Sequence, residues 1–188
     1  MSKSILPNIT KRWSPRAFSL KSISQEDLDL LFEAAGKAAS SYNEQPWRFV
    51  YAHREDTQNF NLLLECLTEF NQKWVKNAAV LVATVAKKTF SNNGKPNAHS
   101  WHDIGLAMGN LSLQATSMDI YLHHMAGYNK EKTIDNLNIP ADYEPVTFVA
   151  IGYLGDKEQL PDNLKEQETP ASPRKDVDEI TFVGQMGK

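Results

Sequence analysis

Leu28, Leu31, Phe32 and Ala35 fall at i, i+3, i+4 and i+7, so a helix over this stretch carries one apolar face towards a core. Ser24 stands where an N-cap belongs, Asp27 three residues on completes a capping-box-like pattern, and Gly36 weakens the pattern at its end. A second stripe of Phe60, Leu63, Leu64, Leu67 and Trp74 predicts one helix capped by Asp56 with Cys66 inside it. A third, over 101–118, sets Ile104, Met108, Leu111, Ala115 and Met118 in line, and 130–137 predicts a short helix. Between these lie strand-like runs. Residues 47–52 form the first, and the valine-rich run 78–86 has the look of a strand covered on both faces. Residues 120–125 read as a second central strand and 147–153 as another buried one. A turn over 53–57 and loops over 91–100 and 139–145 connect them.

Composition narrows the class. A chain of 188 residues with 41% apolar and 23% charged residues is expected to form a single domain over 1–188. From 156 onward charged residues and Pro161, Pro170 and Pro173 replace apolar anchors, which predicts an extended C-terminal arm over 156–188. A net charge of -3 gives no electrostatic reason to expect a nucleic-acid partner. The single cysteine, Cys66, precludes an internal disulfide and fits a reducing compartment. With no secretory signal at its start and no apolar run approaching a bilayer span, the chain reads as a soluble cytoplasmic protein.

Several chemistries are absent from the pattern. No G-x-G-x-x-G follows a strand and no P-loop is present. His99 and His102 straddle a loop boundary, and His123 and His124 point to opposite faces of a strand, so no metal site is expected. Two stretches carry candidate chemistry instead. Ser40-Ser41-Tyr42-Asn43-Glu44-Gln45-Pro46-Trp47-Arg48-Phe49 crowds hydroxyls and amides between a helix and a strand, and Pro46 biases Gln45 towards extended backbone. This is either an ordinary connection or a rigid polar loop suited to a planar, polar ligand. Near the N-terminus Arg12, Ser14 and Arg16 alternate, so in an extended segment all three point one way. That makes a solvated turn or a phosphate cradle. The small residues Gly105, Ala107, Gly109, Ser112 and Ala115 let another helix approach, within the chain or from a second subunit.

These residues carry a resemblance. Arg12-Trp13-Ser14-Pro15-Arg16-Ala17-Phe18 resembles the R-x-S-x-R/K-x-F opening of the nitroreductase family of flavoproteins, and the 40–49 stretch is similar to its S-S-x-N-x-Q-P-W-x-F. The small-sided helix, Met125-Ala126-Gly127-Tyr128, the closing strand ending at Gly152-Tyr153 and a late Arg174-Lys175 follow in the same order. The resemblance implies a three-layer α+β fold with a central, mostly antiparallel sheet flanked by helices, an intertwined homodimer, and FMN at the dimer interface. By match of motif, Arg12, Ser14 and Arg16 would contact phosphate, ribityl chain and pyrimidine end, with Trp13 a neighbour of the cofactor. Ser40, Ser41, Asn43 and Gln45 would come from the other subunit. The Gly127 N–H would lie near the reactive N5 edge, Asn71 would bond the flavin ring, and Arg174 and Lys175 would close on the phosphate.

The activity implied is ping-pong hydride transfer, with NAD(P)H as reductant and nitroaromatic, quinone or similar electron-poor compounds as acceptors. It needs no catalytic acid or base from the protein, because the flavin carries the chemistry. A related flavin-dependent dehydrogenase, dehalogenase or flavin-breakdown enzyme, and a flavin-binding protein without turnover, are the alternatives.

Overall fold

The structure is a computed structural model that describes residues 4–170 and 172–186. It is an α+β fold built on a four-stranded sheet of order β1-β2-β4-β3, every pairing antiparallel, with β1 Trp47–His53, β2 Val80–Lys87, β3 Tyr121–Met125 and β4 Tyr143–Gly152. Successive β2 side chains alternate between two cores: Val80, Val82 and Ala86 enter one, Leu81 and Ala83 the other. Helices α2 (Gln25–Gly36) and α5 (Ser100–Ser117) cover the first face. Helices α3 (Thr57–Leu64) and α4 (Glu69–Val75) cover the second, and α6 (Lys130–Asn136) packs on β4 and α3. The three layers and the antiparallel sheet are those expected.

Helix α2 starts where its cap requires: Ser24 Oγ accepts the Asp27 amide at 3.1 Å. Leu28, Leu31 and Ala35 are fully buried. Burying side chains of leucine size contributes roughly 1.5–3 kcal/mol each before chain entropy is charged against it.

Four expectations need correcting. The single helix expected from Asp56 to Trp74 is two. Cys66 lies in the break between α3 and α4, where its carbonyl accepts the Asn129 amide (2.8 Å) and Thr68 N–H donates to Gly127 O (3.0 Å). Pairing with 127–129 outweighs continued helix, so the i→i−4 ladder stops there. Cys66 remains a buried thiol, donating to Leu62 O, with burial pushing its pKa up. Of the central strand expected over 120–125, residues 121–125 form a strand, β3, and it lies at the edge of the sheet rather than in the centre. The loop expected to end at Pro145 is already β4. Strand β3 pairs with β4 only over Phe148–Gly152, so Pro145 sits where β4 has β2 alone beside it, and its missing N–H leaves no ladder bond unmade on the open side. Gln45 is not extended: its φ is +53°, held by its N–H to Ser40 Oγ (3.1 Å) and its carbonyl to Arg48 Nη1 (3.1 Å).

Lys11 ends a short helix, α1 (Pro7–Lys11), so the cationic turn proper begins at Arg12. Beyond β4 come a 3-10 turn (Lys157–Gln159) and two short helices, α7 (Asp162–Lys165) and α8 (Val177–Ile180). Leu160 and Leu164 are buried in the second core. Residues 171, 187 and 188 of the expected arm lie outside the described residues.

Candidate functional site

Two distant parts of the chain meet around a cavity of about 330 Å³. Arg12, Trp13, Ser14 and Arg16 line it from one side, His123 of β3 from beneath, and Gln167, Ser172 and Arg174 from the C-terminal segment. Arg12 is the extended residue that stops α1, and its Nη1 lies 3.4 Å from Ser14 Oγ. Trp13 packs edge-on against Tyr121, ring centroids 6.4 Å apart. Arg174 donates to the carbonyls of Ser172 (3.2 Å) and Pro173 (3.0 Å). Arg16 Nε is buried without a hydrogen-bond partner. Among the described residues none of the three arginines is paired with a carboxylate. Three unneutralised guanidiniums facing one cavity make an anion site.

The backbone of this turn is held from outside it. His123 Nδ1 lies 3.0 Å from the carbonyls of both Ser14 and Pro15. Both partners only accept, so Nδ1 carries the proton and Nε2 is bare. The ring lies 4.7 Å from that of Trp74. Burial, and then the Arg16 charge, lower its pKa to about 4, so it is neutral at physiological pH. On the other side Glu168 Oε1 accepts the amides of Arg16 (2.7 Å) and Ala17 (2.8 Å).

The polar loop forms a second group. Ser41–Asn43 is a 3-10 turn, and Tyr42, Asn43 and Gln45 take left-handed φ of 52°, 56° and 53°. Such backbone costs energy for a residue with a Cβ and persists only when its surroundings over-determine it. Here they do. Buried Asp103 accepts the Ser41 amide at 3.0 Å, and Glu44 takes Lys87 Nζ at 3.2 Å together with the hydroxyl and amide of Ser91. The Ser91 hydroxyl, ahead of Lys87, holds Glu44 below the usual carboxylate range. Ser40 and Ser41 line a separate cavity of about 280 Å³ with His99, His102 and Asp103, while Asn43 and Gln45 stand exposed beside it.

The third group joins α4 to the end of β3. Asn71, 8% exposed, donates from Nδ2 to Gly127 O at 3.0 Å. The Gly127 N–H makes no hydrogen bond among the described residues. Arg12, Trp13, Ser14, Arg16 and Arg174 thus converge, and Asn71 and Gly127 touch. Ser40 and Ser41 line a different cavity of the chain, and Lys175 is exposed after Arg174. His123, Glu168, Asp103 and Glu44 were not singled out for these roles in the sequence. The adjacent histidines were the available signal, and they do face opposite ways. His124 lines an apolar groove of about 620 Å³ along α5, where Gly105, Met108, Gly109 and Ser112 face Leu122, Val146 and Thr147.

Comparison with known proteins adds to this geometry. A solved structure described as an oxidoreductase containing FMN superposes with a TM-score of 0.92 at 40% identity, covering 100% of this chain and 96% of the other. Iodotyrosine deiodinase 1 of Sus scrofa is 25% identical over 92% of this chain and 65% of its own length. The major NAD(P)H-flavin oxidoreductase of Aliivibrio fischeri is 27% identical over 50% of this chain, and the match spans 44% of that protein. The chain therefore spans less than two thirds of these two curated relatives. The Nitroreductase family model matches residues 9–153, so the chain belongs to the Nitroreductase family.

Proposed function

We propose that this protein is an FMN-dependent oxidoreductase that uses NAD(P)H to reduce nitroaromatic, quinone or similar electron-poor acceptors. The observation that carries this reading is the cavity lined by Arg12, Arg16 and Arg174, cationic and, among the described residues, without a carboxylate paired to any of them. The residues fit the cofactor. Among the described residues the buried Arg16 Nε has no hydrogen-bond partner and is a donor awaiting an acceptor, and a Cβ at Gly127 would fall 2.7 Å from Asn71 Nδ2, so only glycine lets Asn71 close on this turn while its N–H stays unbonded. When bound, FMN supplies two-electron chemistry, taking hydride equivalents from NAD(P)H and giving them to the acceptor.

The chain's own groups have supporting tasks. Arg12 and Arg174 bind the doubly charged phosphate, each charge-assisted bond contributing roughly 1.5–3 kcal/mol. Arg16 would place positive charge beside the ring, Ser14 would offer a hydroxyl to the ribityl chain, and Trp13 would flank the cofactor. Asn71 and the Gly127 N–H, unbonded among the described residues, would hold the ring edge. No side chain has to move a proton for the hydride step itself.

Ser40, Ser41, Asn43 and Gln45 complete the site from a second copy of the chain. Two observations support this homodimer. A Cβ at Gly105 or Gly109 would meet nothing within 4 Å, so these two glycines of α5 answer no packing need of their own chain. Val177, Ile180, Phe182, Val183 and Met186 expose 51–104% of their surface on the C-terminal segment, apolar area that a partner would cover. Among the described residues no helix is long and apolar enough to cross a membrane, and the single buried cysteine fits a cytoplasmic location.

The test is the purified protein. A yellow preparation that releases FMN rather than FAD on acid precipitation is expected, with NAD(P)H oxidised steadily when a nitroaromatic or quinone is supplied. A colourless protein that fails to take up added FMN would defeat the reading. Similarity to a deiodinase along most of the chain favours reductive dehalogenation as a second reading, and release of halide from a halogenated phenol would separate the two.

A further inference from the structure

Residues 14–17 have four backbone groups tied to side chains far away in sequence. Two carbonyls receive His123, and two amides donate to one oxygen of Glu168 at 2.7 and 2.8 Å. Glu168 lies four residues after Leu164, which is anchored in the core, and six before Arg174, which lines the same cavity as Arg16. A carboxylate beside an anion site opposes the ligand's charge, so its presence requires a compensating role. Its Oε1 is occupied by backbone amides, and among the described residues its Oε2 is buried without a partner and it forms no ion pair with Arg12, Arg16 or Arg174. The guanidiniums therefore remain available, and two amides that would otherwise be left without acceptors are satisfied.

We propose that Glu168 is a positioning residue: its carboxylate latches the C-terminal segment onto the N-terminal turn and so presents Arg16 and Arg174 as one anion-binding unit. The consequence for flavin rests on the FMN reading above, whereas the latch itself does not. The carboxylate acts through its acceptor oxygen and not through its charge, because among the described residues no cationic side chain forms an ion pair with it. Glu168→Gln keeps an oxygen in place and removes the charge, so it serves as the conservative rescue.

The experiment uses flavin-free full-length protein and the variants Glu168→Ala and Glu168→Gln. Hydrogen exchange at the Arg16 and Ala17 amides is read first. Glu168→Ala should exchange at both about tenfold faster or more, with the core amides of β2 unchanged, and Glu168→Gln should stay near wild type. Unchanged exchange in Glu168→Ala overturns the proposal, and so does equal loss of protection in both variants. FMN and riboflavin affinities are then measured by titration. Glu168→Ala should weaken FMN about tenfold and riboflavin much less, because Arg174 is the group set adrift, while Glu168→Gln restores FMN binding. Unchanged FMN affinity in Glu168→Ala, alongside weakening by Arg174→Ala, removes the link between latch and anion site. Wild-type protein that takes up neither flavin defeats the cofactor reading alone, since exchange is read without flavin.

Discussion

Asn71 Nδ2 donates to the carbonyl of Gly127 at 3.0 Å, and this bond fixes where α4 meets the end of β3. The contact is tight enough that a Cβ at Gly127 would fall 2.7 Å from that nitrogen and 3.0 Å from Thr68 Oγ1. Gly127→Ala should therefore destabilise the fold by about 1–3 kcal/mol, the usual cost of forcing atoms into a filled site. Adding Gly127→Ala to Asn71→Ala should cost much less than adding it to wild type, because the obstructing amide is gone. A double-mutant cycle on urea midpoints reads the coupling, and additive effects would show that the clash is relieved elsewhere.

Arg12→Ala and Arg174→Ala should each weaken FMN much more than riboflavin. Both residues line the cavity, neither has a carboxylate partner among the described residues, and riboflavin lacks the phosphate they are proposed to meet. Loss of one charge-assisted contact corresponds to about 2 kcal/mol, or about thirtyfold in affinity. Equal losses for the two flavins in a binding titration would put these arginines elsewhere on the ligand.

Subunit complementation tests the shared site. Arg12→Ala and Asn43→Ala should each bind flavin weakly as homodimers. A mixed dimer collects both lesions in one site and leaves the other intact, so mixing should restore up to half of the sites in each heterodimer. Flavin content of isolated heterodimers is the measurement, and no recovery would place both motifs on one ligand from the same chain.

Acidification should cost stability through His123. Its pKa falls from 6.5 to about 4 on folding, so below 6.5 the unfolded chain binds a proton that the folded ring refuses. Stability contributed by the neutral ring is complete above 6.5, declines as pH drops towards about 4, and changes no further below it. The full decline is at most about 3 kcal/mol. After burial, the Arg16 charge works against protonation here, and His124, itself pushed down by burial, adds to it last. His123→Asn keeps a donor for the Ser14 and Pro15 carbonyls but does not titrate. The gap in denaturation midpoint between wild type and variant should therefore shift in the variant's favour on going from neutral pH to about pH 4.5.

What the sequence disclosed and what it withheld follow from the range of the forces involved. Ser24, the Leu28–Leu31–Ala35 stripe and the valine-rich β2 are local patterns, and each appears in the fold where its periodicity puts it. The break at Cys66 is set by hydrogen bonds to Gly127 and Asn129, some sixty residues away, which no window along the chain reports. Gln45 takes a positive φ because Ser40 and Arg48 hold both of its peptide groups, against the bias from Pro46. Arginine alternation marked one wall of the cavity, but His123 and Glu168 carry no motif. Only the folded chain brings them to residues 14–17.

Strand β3 is half the length of β4, and that shortfall leaves the sheet with an unfinished corner at residues 143–147. An open corner ordinarily offers itself to any passing strand. Here Pro145 has no amide to offer, and Tyr128 Oη donates to the carbonyls of Pro145 (2.8 Å) and Val146 (3.3 Å). The corner is thus poorly disposed to zip up with another backbone, while Val146 and Thr147 still face the groove along α5. It is a doorway whose frame is already bolted, and that discourages strand-by-strand aggregation.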